Sequence, residues 1–496
     1  MVSSFFQRVV RQTSILVGAL FLVVPGVDAR PVYRADVVVI GSGVAGLSAA
    51  VAASDRGAKV MVLEKMPIIG GSSLLAVDYI VAVGERARAV TGAKNDVESL
   101  KEQIIQSEDT PRDPVLMQIL LDRSSDVYRW LRSLGAGLTQ PVPIREGLGW
   151  GGVRSARNSG TTGSEITKAL LRQLENRHIP IETMTQATRI LTKDGRVRGV
   201  RAKSYDGAQY DVLAKSVVIA TGSFASNPDM ILKFAPELAQ KDNMSLLSTN
   251  APGATGDGLI LANRVGAALR DLDKIEFHPT TLPLTGEVIS SSVRTYGAIL
   301  VNQKGNRFVN ELASRHDVGY AIDAQPGHMA WLILDNHVLA QNPSLETYSR
   351  FSSAIKARDW KQLAVQMGVP HEQLIQTLNS YRQGRAVGKD AFGRDRMASA
   401  LEGDFLYAFP VRQAIHATSG GLVITPNGEV KREDGSVIPG LYAAGDVVSG
   451  INGDERISGM GLLSASVFGY LAGYSSAQYA NPQAPTEQEP SIPLVK

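Results

Sequence analysis

Residues Asp36 to Gly46 read D-V-V-V-I-G-S-G-V-A-G, and this stretch decides how the rest of the chain folds. Val37 to Ile40 form a continuous apolar run, which is typical of a parallel strand buried on both faces. Three glycines follow at the G-x-G-x-x-G spacing: Gly41, Gly43 and Gly46. Glycine at these places permits a tight turn, a close approach of backbone to a pyrophosphate, and close packing of a helix on the strand.

The residues after the glycines complete this pattern. Gly46 to Gly57 predicts an Ala-rich helix, whose N-terminus offers unpaired N–H groups and the positive end of its dipole to phosphates. Val60 to Leu63 predicts a second buried strand, followed by Glu64, where a carboxylate accepts hydrogen bonds from ribose hydroxyls. The glycine spacing alone is a weak signal, but all five features in this order predict a dinucleotide site.

Two further motifs favour FAD over a nicotinamide dinucleotide. Gly70 to Ser73 forms a Gly-Gly-Ser-Ser turn soon after the acid, which is typical of flavin enzymes. Far downstream, Pro439 to Asp446 reads P-G-L-Y-A-A-G-D, similar to the second flavin fingerprint, in which an acid after a strand binds the ribityl chain. Residues near both ends of the chain are therefore predicted to bind one FAD.

The composition excludes several classes of protein. The chain has 496 residues, 44% of them hydrophobic and 20% charged, which is ordinary for a globular protein of one large two-lobed unit or several domains. Its net charge of +3 and the lack of a basic block do not indicate nucleic-acid binding. Because the chain has no cysteine, it has no disulfide, thiolate metal site or covalently attached haem, and no metal site is predicted.

Residues 1–29 are predicted to be an export signal. Arg8 and Arg11 give a positive start, Ser14 to Val24 is apolar, and Val27 to Ala29 offers a small-residue cleavage site. The alternative is a membrane anchor that the mature chain keeps, but the apolar run is shorter than the roughly 20 residues that span a bilayer. We expect cleavage, no stable membrane span afterwards, and a periplasmic location, with the export route left open.

The remaining pattern predicts an α/β fold: a Rossmann-like FAD-binding domain with an inserted α+β capping domain. Asn95 to Leu134 has helical patterning, which we expect Pro111 and Pro114 to break. A strand meander between Ile179 and Arg201 leads to a buried strand that begins at Ser216 and ends in a Thr-Gly turn. The expected boundaries are 30–272 and 417–480 for the FAD-binding domain, 273–416 for the capping domain and 481–496 for a disordered tail.

Four short segments carry the polar residues suited to chemistry. They place His278 beside a Pro-restricted turn, Arg315 after a strand-to-helix transition, His416 before a Gly pair, and Arg456 before a Gly-rich helix start. Taken singly, such a histidine is usually a hydrogen-bonded structural residue, and such an arginine usually forms a surface ion pair. Asp257, in T-G-D-G, either caps the following helix or contacts the flavin.

Because these segments and the FAD motifs occur together and in this order, the chain resembles the flavoprotein subunit of the soluble fumarate reductase family. That family is related to succinate dehydrogenase and L-aspartate oxidase flavoproteins and, more distantly, to 3-ketosteroid dehydrogenases. The similarity covers residues 33–478 and includes G-S-G-V-A-G, A-T-G-S-F, H-P-T, R-F-V-N-E and H-A-T-S-G-G. The cofactor-binding residues expected for FAD are Gly41, Gly43, Val44, Ala45, Gly46, Glu64, Lys65, Gly71, Ser72, Ser73, Ala220, Thr221, Gly222, Asp257, Asp446, Gly461 and Leu462.

The resemblance also implies roles in catalysis. His278, His416 and Arg456 would bind a substrate carboxylate, together with Ser290 and Ser291. Arg315 would donate a proton to one alkene carbon, while reduced flavin delivers a hydride to the other.

The chain departs from the family at several places. Ser291 replaces a Glu of the family's proton relay, which would run between Arg315 and Arg294, so this relay is expected to be rerouted or weak. Asp78 and Tyr79 stand where small residues are usual near the flavin. In the segment around Arg456, Asn452, Glu455 and Ser458 replace the family's His, Asn and Gly.

We therefore expect an exported FAD-dependent oxidoreductase that reduces the C=C bond of an α,β-unsaturated carboxylate such as fumarate. A separate molecule would supply the electrons, most simply a c-type cytochrome, and the FAD would be non-covalent because no histidine lies near the Gly-Gly-Ser turn. Two alternatives stay open. One is a dehydrogenase of the same superfamily that acts on a ketosteroid or a saturated acid, and the other is a non-catalytic flavoprotein.

Overall fold

The computed structural model describes residues 31–77, 79–82, 113–142, 151–155, 160–240, 246–341, 345, 354–453, 456 and 458–483. The expected export signal, Asp78, Pro111, Glu455 and nearly all of the expected tail lie outside these ranges.

The strands are numbered in chain order. They are β1 (Val32–Arg34), β2 (Val37–Ile40), β3 (Val60–Leu63), β4 (Ile80–Ala82), β5 (Leu138–Val142), β6 (Gly151–Ser155), β7 (Ile181–Glu182), β8 (Thr185–Lys193), β9 (Arg196–Ser204), β10 (Gln209–Leu213), β11 (Ser216–Ile219), β12 (Leu269–Arg270), β13 (Ile275–Thr281), β14 (Ile299–Val301), β15 (Ala330–Asp335), β16 (Ile355–Ala357), β17 (Leu406–Thr418), β18 (Gly421–Leu422), β19 (Glu429–Lys431) and β20 (Val437–Ala443).

The α-helices are numbered in the same way. They are α1 (Val44–Asp55), α2 (Pro114–Ser133), α3 (Thr162–Asn176), α4 (Pro228–Phe234), α5 (Asp257–Asn263), α6 (Ser292–Thr295), α7 (Arg315–Asp323), α8 (Asn336–Gln341), α9 (Trp360–Met367), α10 (His371–Val387) and α11 (Met460–Ala480). Helix α2 begins at Pro114 after the extended N-cap Asp113, so the predicted interruption of the helical pattern at this proline is confirmed. Proline fits the first helical position, where no N–H partner is needed.

The fingerprint strand lies inside a sheet with the order β19-β20-β11-β2-β3-β7. Strand β2 pairs in parallel with β3 on one side and β11 on the other, with Val38 opposite both Met61 and Val217. All four residues of β2 are buried, as expected for a parallel strand covered on both faces. The predicted strands, their order around the glycines and the Rossmann-like α/β class are confirmed.

Helix α1 begins at Val44, two residues earlier than the sequence predicted. Gly43 is its N-cap, so Gly46 lies in the first turn, where the helix approaches the preceding loop. A β-carbon on Gly46 would stand 2.0 Å from the carbonyl oxygen of Gly41, and only glycine permits this approach. The third glycine of the motif therefore holds the helix against the strand-to-helix turn.

Helix α11 packs against α1 and returns the C-terminal part of the chain to the fingerprint. Gly473 faces Ala49 so closely that a β-carbon would stand 2.2 Å from the Ala49 carbonyl oxygen. Helix α11 is buried along most of its length, in the same hydrophobic core as β2, β3 and β11. This contact explains why residues from both ends of the sequence meet at one cleft.

Two further sheets complete the part of the fold that positions the site. Of the predicted meander, β8 and β9 pair in a sheet with the order β1-β10-β9-β8, and Asp194 and Gly195 make the turn between them with positive φ angles. The segment at Ile179, predicted as the first strand of the meander, instead forms β7, which pairs with β3 in the fingerprint sheet. Strands β13, β17, β15 and β14 form another sheet, with β16 added on β17. Its two faces are both buried, since Leu300 lies in one hydrophobic cluster and its neighbour Ile299 in another. No helix in the described part of the chain is long and apolar enough to cross a membrane.

Candidate active site

One continuous cleft is lined by residues of the FAD fingerprints and of the polar segments. Its empty space is about 1640 Å³, including the open mouth. Gly46 is not part of its wall, and neither are Ser290, Ser291 and Arg294. The expected cofactor and substrate residues that do line it are Gly41, Gly43, Val44, Ala45, Glu64, Lys65, Gly71, Ser72, Ser73, Ala220, Thr221, Gly222, Asp257, His278, Arg315, His416, Asp446, Arg456, Gly461 and Leu462.

The central part of the cleft fits a dinucleotide pyrophosphate. The N-terminus of α1 points into it, and its N-cap Gly43 has no side chain to cap the helix. The Val44 N–H donates to Ser73 Oγ at 3.1 Å. Thr221 Oγ1 is buried and has no hydrogen-bond partner among the described residues, so it is available to a ligand. The N-terminal end of a helix and an unused hydroxyl suit an anionic, oxygen-rich cofactor.

Glu64 lies where the ribose of the cofactor is expected. Its side chain is buried and accepts hydrogen bonds from the Ser42 N–H at 2.9 Å, the Ser42 hydroxyl at 2.6 Å and the Met66 N–H at 2.8 Å. These bonds fix the direction of the carboxylate. Because a carboxylate offers about four lone-pair sites, it still has acceptor capacity for a ribose hydroxyl.

Asp257 does not cap the helix that it begins. Gly256 is the N-cap of α5 and no side chain caps the helix, so the capping alternative for Asp257 was wrong. The Asp257 carboxylate forms an ion pair with Lys65 at 2.9 Å and accepts from Thr255 at 2.7 Å. Burial alone would raise the pKa of Asp257, but Lys65 and Thr255 outweigh it and hold the pKa below its usual range. A charged pair therefore stands in the wall of the cleft.

The two site histidines lie on adjacent antiparallel strands, β13 and β17. The turn expected beside His278 was wrong, since His278 lies within β13 and Pro279 follows at an irregularity of the strand register between His278 and Thr281. A proline lacks the N–H for a regular ladder, so it is tolerated at such a place. On the facing strand, Ala417 pairs with Glu276 and Ile415 with Phe277, which leaves His416 in a β-bulge. The bulge turns His416 toward His278, with ring centroids 5.1 Å apart.

His278 is a buried, neutral imidazole. Its Nδ1 accepts a hydrogen bond from the Thr280 N–H at 3.3 Å, so the ring proton belongs on Nε2. Burial lowers the pKa of His278 well below its usual value, and His416, Arg315 and Arg294 lower it further. The side chain is therefore an uncharged hydrogen-bond donor at neutral pH.

His416 is held in the same state from the opposite strand. Its Nδ1 lies 2.7 Å from Thr249 Oγ1, and its backbone carbonyl accepts from the Asn250 amide at 2.6 Å. Burial lowers its pKa well below the usual value, and the charges of Arg315 and Arg456 act in the same direction. The segment around Thr249, which sequence reasoning missed, thus orients a site histidine.

Arg315 is the first residue of α7, whose N-cap is Ser314. The helix start was predicted correctly, but the strand expected before it is absent from the described residues between Phe308 and Ser314. The Arg315 guanidinium donates to Glu276 Oε1 at 2.5 Å and to Ser458 Oγ at 2.7 Å. These two contacts fix its orientation in the cleft wall.

Arg456 approaches the same place from the segment before α11. Its Nη1 lies 3.2 Å from Asp446 Oδ1, and its Nε lies 3.9 Å from Glu276 Oε2. Burial alone would lower the pKa of Arg456, but Asp446 and Glu276 outweigh it and keep the guanidinium charged. Gly461 makes room for the guanidinium, because a β-carbon there would stand 2.6 Å from Arg456 Nη1.

The serines and the arginine of the expected relay do not line the cleft. Ser290 is buried, and its hydroxyl lies 2.7 Å from that of Ser292. Ser291 immediately precedes α6, and Arg294 donates to the backbone carbonyl of Glu311 at 3.0 Å. Glu311 is fully buried and also accepts from Arg307 and Arg394.

Sequence reasoning missed Glu276 and underrated Ser458. Glu276 is 2% exposed, and its Oε2 is buried without a hydrogen-bond donor among the described residues. Its signal was present in Glu276-Phe277-His278, because alternate residues of a strand point to one face. This signal was overlooked because Pro279 led us to expect a turn, and not a strand, beside His278. Among the described residues, no group of three or more His, Cys, Asp or Glu could hold a metal ion.

Comparison with known proteins gives the family. The family model described as "FAD binding domain" matches residues 36–462. The chain is 35% identical to a fumarate reductase (cytochrome) from Shewanella frigidimarina over 91% of this chain and 78% of that protein. It is also 35% identical to an NADH:fumarate oxidoreductase from Klebsiella pneumoniae, over 92% of this chain but only 49% of that protein, so it spans about half the length of this relative.

Solved structures agree with this assignment. The open conformation of a flavocytochrome c3 fumarate reductase superposes with a TM-score of 0.78 at 32% identity, covering 90% of this chain and 79% of that one. A 3-ketosteroid-Δ4-(5α)-dehydrogenase from Rhodococcus jostii gives a TM-score of 0.68 at 28% identity, covering 90% and 97%. The chain therefore belongs to the FAD-binding flavoprotein family that includes the fumarate reductases, a family of FAD-dependent oxidoreductases acting on CH–CH bonds.

Proposed function

We propose that this protein reduces the C=C bond of an α,β-unsaturated carboxylate. The observation that carries the proposal is the convergence of His278, His416, Arg315 and Arg456 on the cleft that the FAD fingerprints also line. Relatives named fumarate reductase, urocanate reductase and NADH:acrylate oxidoreductase point to the same class of substrate. When bound, reduced FAD would supply the hydride.

Arg456 and His416 are the groups that we expect to bind the substrate carboxylate. The Arg456 guanidinium is charged and offers several N–H donors, of which Asp446 takes one at 3.2 Å. The neutral imidazole of His278 adds a directed N–H donor without adding charge, and His416 adds a second one when the Thr249 hydroxyl donates to its Nδ1. Donors fixed on a rigid sheet stabilise the negative charge that develops on an enolate-like carboxylate, because they need no reorganisation during the reaction.

Arg315 is the expected proton donor to the alkene carbon next to the carboxylate. Its guanidinium is oriented by Glu276 and Ser458, on the wall that also carries both histidines. Arginine is a weak acid, with a reference pKa above about 12. The proton has to move only as negative charge accumulates on the carbon, which makes that carbon a strong base at the required moment.

The proposal includes non-covalent FAD, a separate electron donor and export. The stretch from Met66 to Ser73 contains no histidine that could attach the flavin, and the chain has no cysteine for a covalently bound haem. A c-type cytochrome would be the simplest electron donor. Acid precipitation of the purified protein should release all flavin into the supernatant, and flavin retained on the polypeptide would contradict non-covalent binding.

Anaerobic assays with reduced methyl viologen and a panel of unsaturated acids test the function. We expect viologen oxidation with at least one acid, and loss of this activity in Arg315→Ala with the flavin still bound. Arg270→Ala is the matched control, because Arg270 is exposed and pairs with Glu433, and neither residue lines the cleft. Oxidation of a ketosteroid, with no turnover of any acid, would support the dehydrogenase alternative that the Rhodococcus structure raises.

The third possibility is a flavoprotein without catalytic turnover. It is suggested by Ser291, which stands where the expected proton relay would have a glutamate. The contacts of Arg315 with Glu276 and Ser458 argue against it, since they keep the proposed acid in place without a carboxylate at position 291. Flavin-loaded protein that oxidises no donor and reduces no acceptor would establish this alternative.

A further inference from the structure

The two site histidines differ in the group that contacts the Nδ1 atom of each ring. His278 Nδ1 accepts from the Thr280 backbone N–H at 3.3 Å, and a backbone N–H only donates. His416 Nδ1 lies 2.7 Å from the hydroxyl of Thr249, and a hydroxyl both donates and accepts. The surroundings of the two rings therefore allow different protonation states.

His278 is restricted to the neutral state. A proton added to its Nδ1 would point at the proton of the Thr280 N–H, so the imidazolium would lose this hydrogen bond and bring two donors together. Burial lowers the pKa of His278, and the charges of His416, Arg315 and Arg294 act in the same direction. We expect His278 to stay a neutral donor with or without a ligand beside it.

The hydroxyl of Thr249 can reverse its direction. Among the described residues it has no hydrogen-bond partner other than His416, so no other contact fixes its proton. The backbone on both sides of the contact is held in place. The Thr249 N–H donates to the Ile415 carbonyl at 2.9 Å, and the Asn250 amide donates to the His416 carbonyl at 2.6 Å. The ring and the hydroxyl can thus keep their 2.7 Å contact while the proton between them changes sides.

The charged groups that face His416 come from several other elements. Arg315 begins α7 and Arg456 precedes α11, and both lower the pKa of His416, after the larger effect of burial. Glu276 of β13 pairs with Arg315 at 2.5 Å, and Asp446 pairs with Arg456 at 3.2 Å. His416 lines the cleft together with both arginines, so a carboxylate bound there lies beside its ring.

A bound carboxylate changes the balance at His416, because it brings a charge of the opposite sign. A nearby anion favours the imidazolium and therefore raises the pKa of the ring. At a separation of about 4 Å and an effective dielectric of about 20, this attraction favours protonation roughly 1000-fold. It opposes both the burial and the two arginine charges, which keep the ring neutral when no ligand is bound.

We propose that His416 takes up a proton from solvent when the substrate carboxylate binds, so that an imidazolium holds the acid together with the guanidinium of Arg456. In the complex, His416 Nδ1–H donates to Thr249 Oγ1 and Nε2–H donates to the carboxylate. The proton returns to solvent when the saturated acid leaves, so the overall reaction is unchanged. The added positive charge also stabilises the negative charge that develops on the enolate-like carboxylate. This inference rests on the proposed reduction of an unsaturated acid.

The test measures how tightly the oxidised, FAD-loaded protein binds crotonate, or another acid of the viologen panel that is turned over. Oxidised flavin cannot reduce the acid, and its absorbance reports binding. The acid is ionised throughout the range from pH 6.0 to 8.0, because carboxylic acids have pKa values of about 4–5. In the wild type we expect Kd to rise roughly tenfold or more over this range, because binding then requires a proton that becomes scarcer. An indicator dye in weakly buffered solution should show proton uptake on binding at pH 6.0.

Three variants separate the two histidines. In His416→Asn we expect a Kd that is nearly independent of pH and no proton uptake, whereas His278→Asn, the matched change on the facing strand, should keep the pH dependence. Thr249→Val removes the hydroxyl that accepts from the imidazolium and should weaken the pH dependence. The dependence of Kd on pH is the informative quantity, since loss of a contact alone changes Kd equally at every pH.

Two results would overturn the inference: a Kd of the wild type that does not change with pH, and an equal pH dependence in the wild type and in His416→Asn. The absence of both binding and turnover with crotonate and every other acid of the panel would instead overturn the proposed function.

Discussion

The two buried histidines should make the protein lose stability in mild acid. Both pKa values lie well below the usual 6.5 in the folded protein and return to about that value on unfolding. Between the folded and unfolded pKa values the unfolded chain binds more protons, so the free energy of unfolding falls as pH falls. This contribution to stability is complete above about pH 6.5 and is lost progressively as pH falls below that value.

The size of the loss follows from the pKa scale. From pH 7.0 to 5.5, each histidine that stays neutral in the folded protein costs about 1.3 kcal/mol, or about 2.5 kcal/mol for both. At about 2.1 cal/mol/K per residue, an entropy of unfolding of about 1 kcal/mol/K converts this to a fall in Tm of roughly 2–3 °C. Groups with lowered carboxyl pKa values, such as Asp257 and Glu311, act only at lower pH, below about 4.5.

Thermal unfolding of the FAD-loaded protein at pH 7.0 and 5.5 measures this effect. In the double variant H278N/H416N the pH-dependent fall in Tm should shrink by that amount, whatever the absolute Tm of the variant. His337→Asn is the control, since the side chain of His337 is 72% exposed. An equal fall in the wild type and the double variant would refute the assignment of buried, neutral imidazoles.

Three other perturbations test separate parts of the structure. Gly46→Ala should lose FAD, because the new β-carbon would stand 2.0 Å from the Gly41 carbonyl oxygen; the loss is measured as a lower ratio of flavin to protein absorbance. Gly57→Ala is the control: no atom lies within 4 Å of its new β-carbon, so this variant should lose stability but keep FAD. Arg394→Met should lower Tm by several degrees, because it removes one of the guanidinium groups that pair with the buried Glu311, at a cost of about 3–5 kcal/mol. Arg396→Met, which changes a residue near the surface, should leave Tm nearly unchanged. Arg456→Lys keeps the charge but loses the planar fork, so KM for the acid should rise roughly tenfold or more in steady-state assays, and an unchanged KM would remove Arg456 from the carboxylate site.

The sequence was most informative where local chemistry decides the structure. The apolar run of β2 and the glycines after it specify a buried strand and a tight turn through their own conformational limits. The helix start was misplaced by two residues because the same glycines also permit the helix to begin at Val44.

The sequence was less informative where contacts between distant segments decide. Arg315 contacts Glu276, which lies 39 residues before it along the chain, and Ser458, which lies 143 residues after it. His278 was assigned to a turn because of Pro279, but the long pairing of β13 with β17 absorbs the proline at an irregularity in register. The pairing of β13 with β17 cannot be predicted from a single sequence. The partners of Arg315, the proposed proton donor, were therefore identified only from the structure.

The most direct test of the account is a single-turnover measurement on the reduced, FAD-loaded protein. Anaerobic mixing with an α,β-unsaturated acid, such as crotonate, is followed by the return of oxidised flavin absorbance, and the neutral crotonamide is the matched comparison. The account predicts rapid flavin oxidation by an unsaturated acid, little or none by its amide, and a large loss of rate in Arg315→Ala. Equal rates with acid and amide, or an unchanged rate in Arg315→Ala, would contradict the claim that these side chains bind a carboxylate and deliver the proton.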